Sequence, residues 1–204
     1  MNEPRRFPPS TRRELLTAGA AAGWALLAGP VAAASARGRT TAPGDGELLS
    51  HVLGTAQLAA YVYTAVFAEG ILTGGRRRAL DGFDVQERAH VAALRKAVRA
   101  HGGRIPAPPR SQAQANRWLA RRQIPPRLGQ LLGPENALAL LIDIERSSIG
   151  SCFVALHGLR GREAIVLVSS IMGNDAQHEA IVSLQRHALA LPAAAPFALV
   201  SGAH

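Results

Sequence analysis

The sequence predicts an all-α domain, four long helices arranged as two helical hairpins, and three observations carry that expectation. Nearly half of the 204 residues are apolar while aromatics make up only 4%, a balance rich in alanine and leucine that favours helices over sheets. Apolar residues recur at helical spacing in four separate stretches. Glycine and proline interrupt those stretches in a short, long, short order, the pattern of two hairpins joined by one long connection.

The first 36 residues stand apart from the fold. A basic, proline-bearing start leads through TRRELL into the apolar run LLTAGAAAGWALLAGPVAAA and then ASA. Charged, apolar and small-residue regions in that order describe an export signal, and Arg12 with Arg13 ahead of Leu15 and Leu16 resembles the twin-arginine class. The expected destination is periplasmic, cell-envelope or secreted, with a retained N-terminal anchor as the alternative. Residues 37–46, RGRTTAPGDG, follow as a polar linker.

The first helix is expected from Glu47 to about Leu72, with Leu49, Val52, Leu53, Ala56, Ala60, Tyr63, Val66 and Phe67 on its apolar side. The second runs from about Arg77 to His101 and stops at Gly102 and Gly103. RIPAPPRS is too proline-rich to be helical throughout, and SQAQANRWLARRQIP adds a short helix anchored by Trp118. Pro134 suits the first turn of the third helix, and the fourth spans about Arg162 to Leu189. The domain thus occupies residues 47–190, and residues 191–204 form an irregular tail. Gly54 and Gly150, inside helices, are expected where helices approach closely.

Charge and motifs exclude several classes of function. The formal charge is +9, and without residues 1–36 it is +7, from 19 basic and 12 acidic residues. The arginines are scattered with few aromatics between them, so nucleic acid is not an expected partner; association with an envelope or membrane surface is the partner such a surface allows. Cys152 is the single cysteine and its neighbours are apolar, as for a buried thiol. No phosphate loop, zinc spacing or nucleotide fingerprint is present, and no base is placed to activate Ser147, Ser148 or Ser151.

What remains is a set of ionisable residues inside the apolar stripes. The second helix carries Glu87 and His90 between Phe83 and Leu94; the fourth carries Asp175 and His178 between Met172 and Val182; the third carries Glu145 among Ile142, Ile149 and Cys152. Residues three apart share a helix face, so both acid–histidine pairs point toward one locus. Buried charges are costly unless compensated, and a divalent metal compensates carboxylates and imidazoles together. Carboxylate-bridged di-iron and di-manganese bundles place a lone Glu on each of two helices and Glu-x-x-His on the other two.

On QERAHVAALRKAVRAHGG, LLIDIERSSIG and SSIMGNDAQHEAIVSLQRHAL, the chain resembles the exported bacterial ferritin-like domain proteins over residues 47–190. The resemblance implies a ferritin-like four-helix bundle whose metal ligands are Glu87, His90, Glu145, Asp175 and His178, with one or two ions of iron or manganese reacting with oxygen or peroxide. Two positions depart from that pattern. Asp175 is one methylene shorter than the usual glutamate, and Ala56 stands where the first helix usually has its glutamate, with Gln57 beside it as a weak neutral substitute. The alternative is a non-catalytic bundle that has lost its metal, keeps the same residues as buried ion pairs, and serves as a binding or envelope structural protein. For Tyr61 and Tyr63, core packing is the expected role, with a redox-active phenol as the sharper reading. His51, His101, His157 and His187 are expected at the surface.

Overall fold

In the computed structural model the described residues are 43–125 and 127–187. The expected export signal, most of the linker and the C-terminal tail lie outside them. The described residues form helices and no strand: α1 (Asp45–Ala68), α2 (Gly74–Ala79), α3 (Phe83–Ala100), α4 (Gln112–Arg121), α5 (Pro134–Leu156) and α6 (Arg162–His187). None is long and apolar enough to cross a membrane.

The four long helices pack as a helical bundle. α1 lies mainly against α3 and α5 against α6, while a further broad contact joins α1 to α5. Their directions follow from end-to-end contacts. The start of α1 touches the end of α3 so closely that a Cβ on Gly46 would stand 2.4 Å from the His101 carbonyl oxygen and 2.7 Å from the Gly103 nitrogen. Asp45, also at the start of α1, accepts the Arg160 and Gly161 backbone N–H groups at 3.0 and 2.7 Å, in the turn between α5 and α6. α1 is therefore antiparallel to both α3 and α5, and α3 and α5 run the same way.

That direction forces the connection between them to travel the length of the bundle. It does so along α1: the Gln57 amide donates to the Pro106 carbonyl at 3.1 Å, Arg122 donates to Thr55 Oγ1 at 3.2 Å, and the Gly129 N–H reaches the Glu69 carboxylate at 3.2 Å. Within it, Ser111 caps α4 by accepting the Gln114 N–H at 3.3 Å. Buried Ala115 and Leu119 anchor α4 beneath a half-buried Trp118, so the anchor is shared more widely than the tryptophan expected from sequence.

The second helix is the main departure from the sequence expectation. It breaks at Leu80–Gly82, giving a single turn (α2) and then α3, because Gly82 adopts φ 87°, a left-handed conformation that costs glycine little. α1 ends at Ala68 rather than Leu72, since Gly70 is also left-handed and turns the chain. A methyl added at Gly150 would meet nothing within 4 Å, and one at Gly54 would make only ordinary contact with Pro106, so close approach falls instead at Gly46 and Gly103.

The apolar stripes pack as expected. Leu58, Val62, Tyr63, Leu80, Leu138 and Leu141 belong to one core cluster, and Leu53, Ala56, Leu94, Val98, Cys152 and Val168 to a second. Each fully buried leucine or valine contributes roughly 1.5–3 kcal/mol relative to an exposed one. Such packing offsets the cost of the polar residues enclosed between the helices.

Candidate metal centre

Ten polar or charged residues are buried among the described residues, and Glu87, Glu145, Asp175 and His178 are among the least exposed. They come from α3, α5 and α6, each at a position flanked within two turns on either side by core residues. Glu87 follows Phe83 and precedes Leu94, Glu145 lies between Leu141 and Ile149, and Asp175 and His178 lie between Ile171 and Val182. Helical spacing therefore carries all four side chains inward. One donor atom from each lies within 4.8 Å of the donors of the other three.

The contacts within this group have an orientation. His178 Nδ1 faces Glu87 Oε1 and Glu145 Oε1, both at 3.2 Å. His90, slightly exposed at the rim, brings its Nδ1 to 3.3 Å from Asp175 Oδ1 and 3.5 Å from Glu87 Oε1. The Tyr63 hydroxyl donates to Glu145 Oε1 at 2.5 Å. α1 thus supplies a phenol and no carboxylate. Tyr63 has the core position expected for it and this polar contact besides, while Tyr61 is half-buried against the same core.

Most of these contacts lack hydrogen-bond alignment. Both oxygens of Glu87, Glu145 Oε2, Asp175 Oδ1 and the Nδ1 atoms of His90 and His178 are all buried without a hydrogen-bond partner. Buried polar groups are seldom left so, and six of the ten such atoms among the described residues crowd this one locus. They comprise the hard oxygen and imidazole nitrogen donors that suit first-row divalent ions. The donor set fits a metal ion in number, in chemistry and in the unmet bonding of its atoms. This cluster can bind a metal.

Electrostatics in the metal-free cluster follow from enclosure and mutual proximity. Burial pushes the Glu145 carboxyl well up, and the nearby Glu87 charge adds to that. Burial likewise raises Asp175, with the His90 ring pulling against it, to about 6. Burial also acts to raise Glu87, but the His178 and His90 rings facing it outweigh that and hold it below the ordinary carboxylate value. For His178 and His90 burial favours the neutral ring; the facing carboxylates prevail and lift them to about 9 and about 10. The rings and acids thus favour imidazolium beside an ionised Glu87, while enclosure favours the neutral form of Glu145.

The remaining candidates are placed elsewhere. Gln57 is buried but its amide is engaged with Pro106, and it is not among the converging donors. Two further acids near these helices are engaged elsewhere: Asp84 pairs with Arg88 at 2.8 Å, and Glu69 accepts the Gly129 N–H. Cys152 is a buried free thiol whose ionisation is suppressed first by burial and then by the Asp175 and Glu87 charges. His51, His101 and His157 are exposed, and the side chain of His187 lies outside the described residues.

Two polar partners were missed by sequence reasoning. Glu179 is buried and pairs with Arg146 Nε at 2.9 Å. Its position four residues after Asp175 and three before Val182 was the available signal. Gln86 Oε1 accepts from His178 Nε2 at 2.6 Å, although the residue is exposed and no periodic pattern marks it. Comparison with known proteins names no relative: no family model matches the sequence, and no curated protein matches it significantly.

Proposed function

We propose that this chain is an exported ferritin-like metalloprotein whose buried centre holds iron or manganese and supports redox chemistry with oxygen or peroxide. The observation that carries the reading is the convergence of Glu87, Glu145, Asp175 and His178 with their donor atoms unbonded in a water-poor core. The twin-arginine-like start supports export, because that route carries folded proteins and suits one loaded with metal beforehand. The relative directions of the four long helices, with α3 and α5 parallel across a long connection, support the ferritin-like assignment.

Glu87, Glu145, Asp175 and His178 would hold the ion, with His90 at the rim as a fifth donor. A bound iron or manganese ion supplies a redox-active centre that can exchange electrons with a small oxidant. The chain's own contribution is to surround it with anionic oxygens, which favour the higher oxidation state, and to exclude bulk water. Three carboxylates compensate one divalent ion fully and two only in part, so one ion is the expected loading.

The second reading is a bundle without metal, and one observation favours it: α1 brings the Tyr63 hydroxyl to Glu145 and has Ala56, not a carboxylate, where a fourth acid would complete the pattern. Metal content of the purified mature protein decides between the two. Near-stoichiometric iron or manganese that disappears in Glu87→Ala and His178→Ala supports the metalloprotein. A protein that purifies without metal, takes up none when reconstituted, and becomes more stable when the cluster is replaced by leucines supports the scaffold.

A further inference from the structure

Three contacts from the first two turns of α3 hold the His178 ring, beside the Glu145 carboxylate of α5 that shares its Nδ1. The Phe83 ring lies against its face, with centroids 4.0 Å apart and planes 19° from parallel. Gln86 Oε1 stands 2.6 Å from Nε2. Glu87 Oε1 stands 3.2 Å from Nδ1, on the opposite edge. Tyr63 closes a further side edge-on, at 6.3 Å between centroids.

Rotating the ring by half a turn about its long bond would point Nδ1 away from Glu87 and Glu145 and take Nε2 off Gln86. Stacking against Phe83 confines the ring plane, and the amide oxygen selects between the two flips left within it. An amide oxygen only accepts, so this contact needs a proton on Nε2, and that leaves Nδ1 as the nitrogen offered to the carboxylate side. The break at Gly82 is what makes the arrangement available. It starts α3 at Phe83, so that residues 83, 86, 87 and 90 share one face toward α6.

We propose that Gln86 is a positioning residue for the metal centre: with Phe83 it fixes the His178 ring so that Nδ1 is the metal-binding nitrogen and Nε2 carries the proton. The inference rests on the metal-binding reading above for its effect on affinity, and on the contacts of His178 alone for the ring's orientation. Gln86 touches no ion in this arrangement. It acts through His178.

The test uses the full chain with zinc ion as a diamagnetic probe, comparing wild type, Gln86→Leu and Gln86→Glu. Leucine removes the acceptor but keeps the bulk that excludes water; glutamate restores an acceptor. Gln86→Leu is expected to weaken zinc binding about 10- to 100-fold while the urea midpoint of the metal-free protein is unchanged, and Gln86→Glu to bind as tightly as wild type or tighter. Nitrogen NMR of the zinc-loaded wild type should show the ion at His178 Nδ1 and a hydrogen on Nε2. Equal zinc affinity in wild type and Gln86→Leu, or zinc at Nε2, overturns the proposal. Should wild type take up no zinc, iron or manganese, the metal reading fails. The ring orientation is then judged in the metal-free protein, where a slowly exchanging His178 Nε2–H signal in wild type and its loss in Gln86→Leu sustain it. Absence of that signal in wild type ends it.

Discussion

Replacing Glu145 by glutamine separates the metal-free state of the centre from its loaded state. Glu145 is fully buried, and burial with the neighbouring Glu87 charge raises its carboxyl well above the ordinary value, which favours its protonated form in the metal-free protein. A group whose folded pKa is raised favours folding fully below its unfolded value of about 4.3, and that contribution is lost as pH climbs toward the folded value. Within that window each pH unit is worth about 1.4 kcal/mol. Glutamine holds no such proton. Its carbonyl can accept the Tyr63 hydroxyl as Oε1 now does at 2.5 Å, and its amide takes the place of the protonated Oε2. Metal-free Glu145→Gln should therefore match wild type near pH 4 and gain on it as pH rises toward 6, by up to about 1.4 kcal/mol per pH unit. Its affinity for iron or manganese should fall about tenfold or more, because a neutral amide replaces an anionic donor. Urea unfolding of chelator-treated protein at pH 4, 5 and 6, with a metal titration alongside, measures both. A variant less stable than wild type at pH 6, with the same pH slope, would mean that Glu145 is an ionised partner of His178 and that the charge assignment is wrong.

Metal uptake should release protons, because His178, lifted to about 9, and Glu145, also raised, must both be deprotonated to serve as donors. Between pH 6 and 8 affinity should rise about tenfold per pH unit for each proton displaced, and calorimetry in buffers of different ionisation heat counts them; uptake without proton release would contradict the protonation pattern. Ala56→Glu places a carboxylate seven residues before Tyr63, on the same face of α1 and buried. The metal-free variant should lose about 2 kcal/mol or more from an uncompensated buried acid, and metal should restore that stability and raise the ion count toward two, read by thermal unfolding and metal analysis. Gly46→Ala should destabilise the protein by about 1–3 kcal/mol in urea, since the new methyl meets backbone atoms of His101 and Gly103 that no side-chain rotation can move aside.

Much of this arrangement was legible in the residues. Periodicity alone placed Glu87, Glu145, Asp175 and His178 inward, because an acid or imidazole within a stripe of leucine, isoleucine and valine has no other face to occupy. The spacing of Pro134 and of the Gly158–Gly161 turn likewise marked where α5 begins and where it gives way to α6. Local breaks were harder. Leu80 and Phe83 continue the stripe of α3 in either helix geometry, so the left-handed turn at Gly82 left no trace in the hydrophobic pattern. Gln86 escaped for a related reason: it lies at the exposed margin of the face it shares with Phe83 and Glu87, and a polar residue at such a margin carries no periodic signal. Glu179 sits beside His178, and its burial depends on Arg146 extending from α5, a pairing across 33 residues that periodicity cannot register.

The course of the chain along α1 between the two hairpins has a mechanical consequence. Glu87 and His90 belong to the first hairpin, whereas Glu145, Asp175 and His178 belong to the second, so neither half alone owns a complete set of donors. An ion seated among them would act as a rivet across the seam, its binding free energy appearing as cohesion between halves whose only covalent link is a tether. Severing that tether should leave the loaded molecule in one piece, and a chelator should then loosen the grip of one piece on the other.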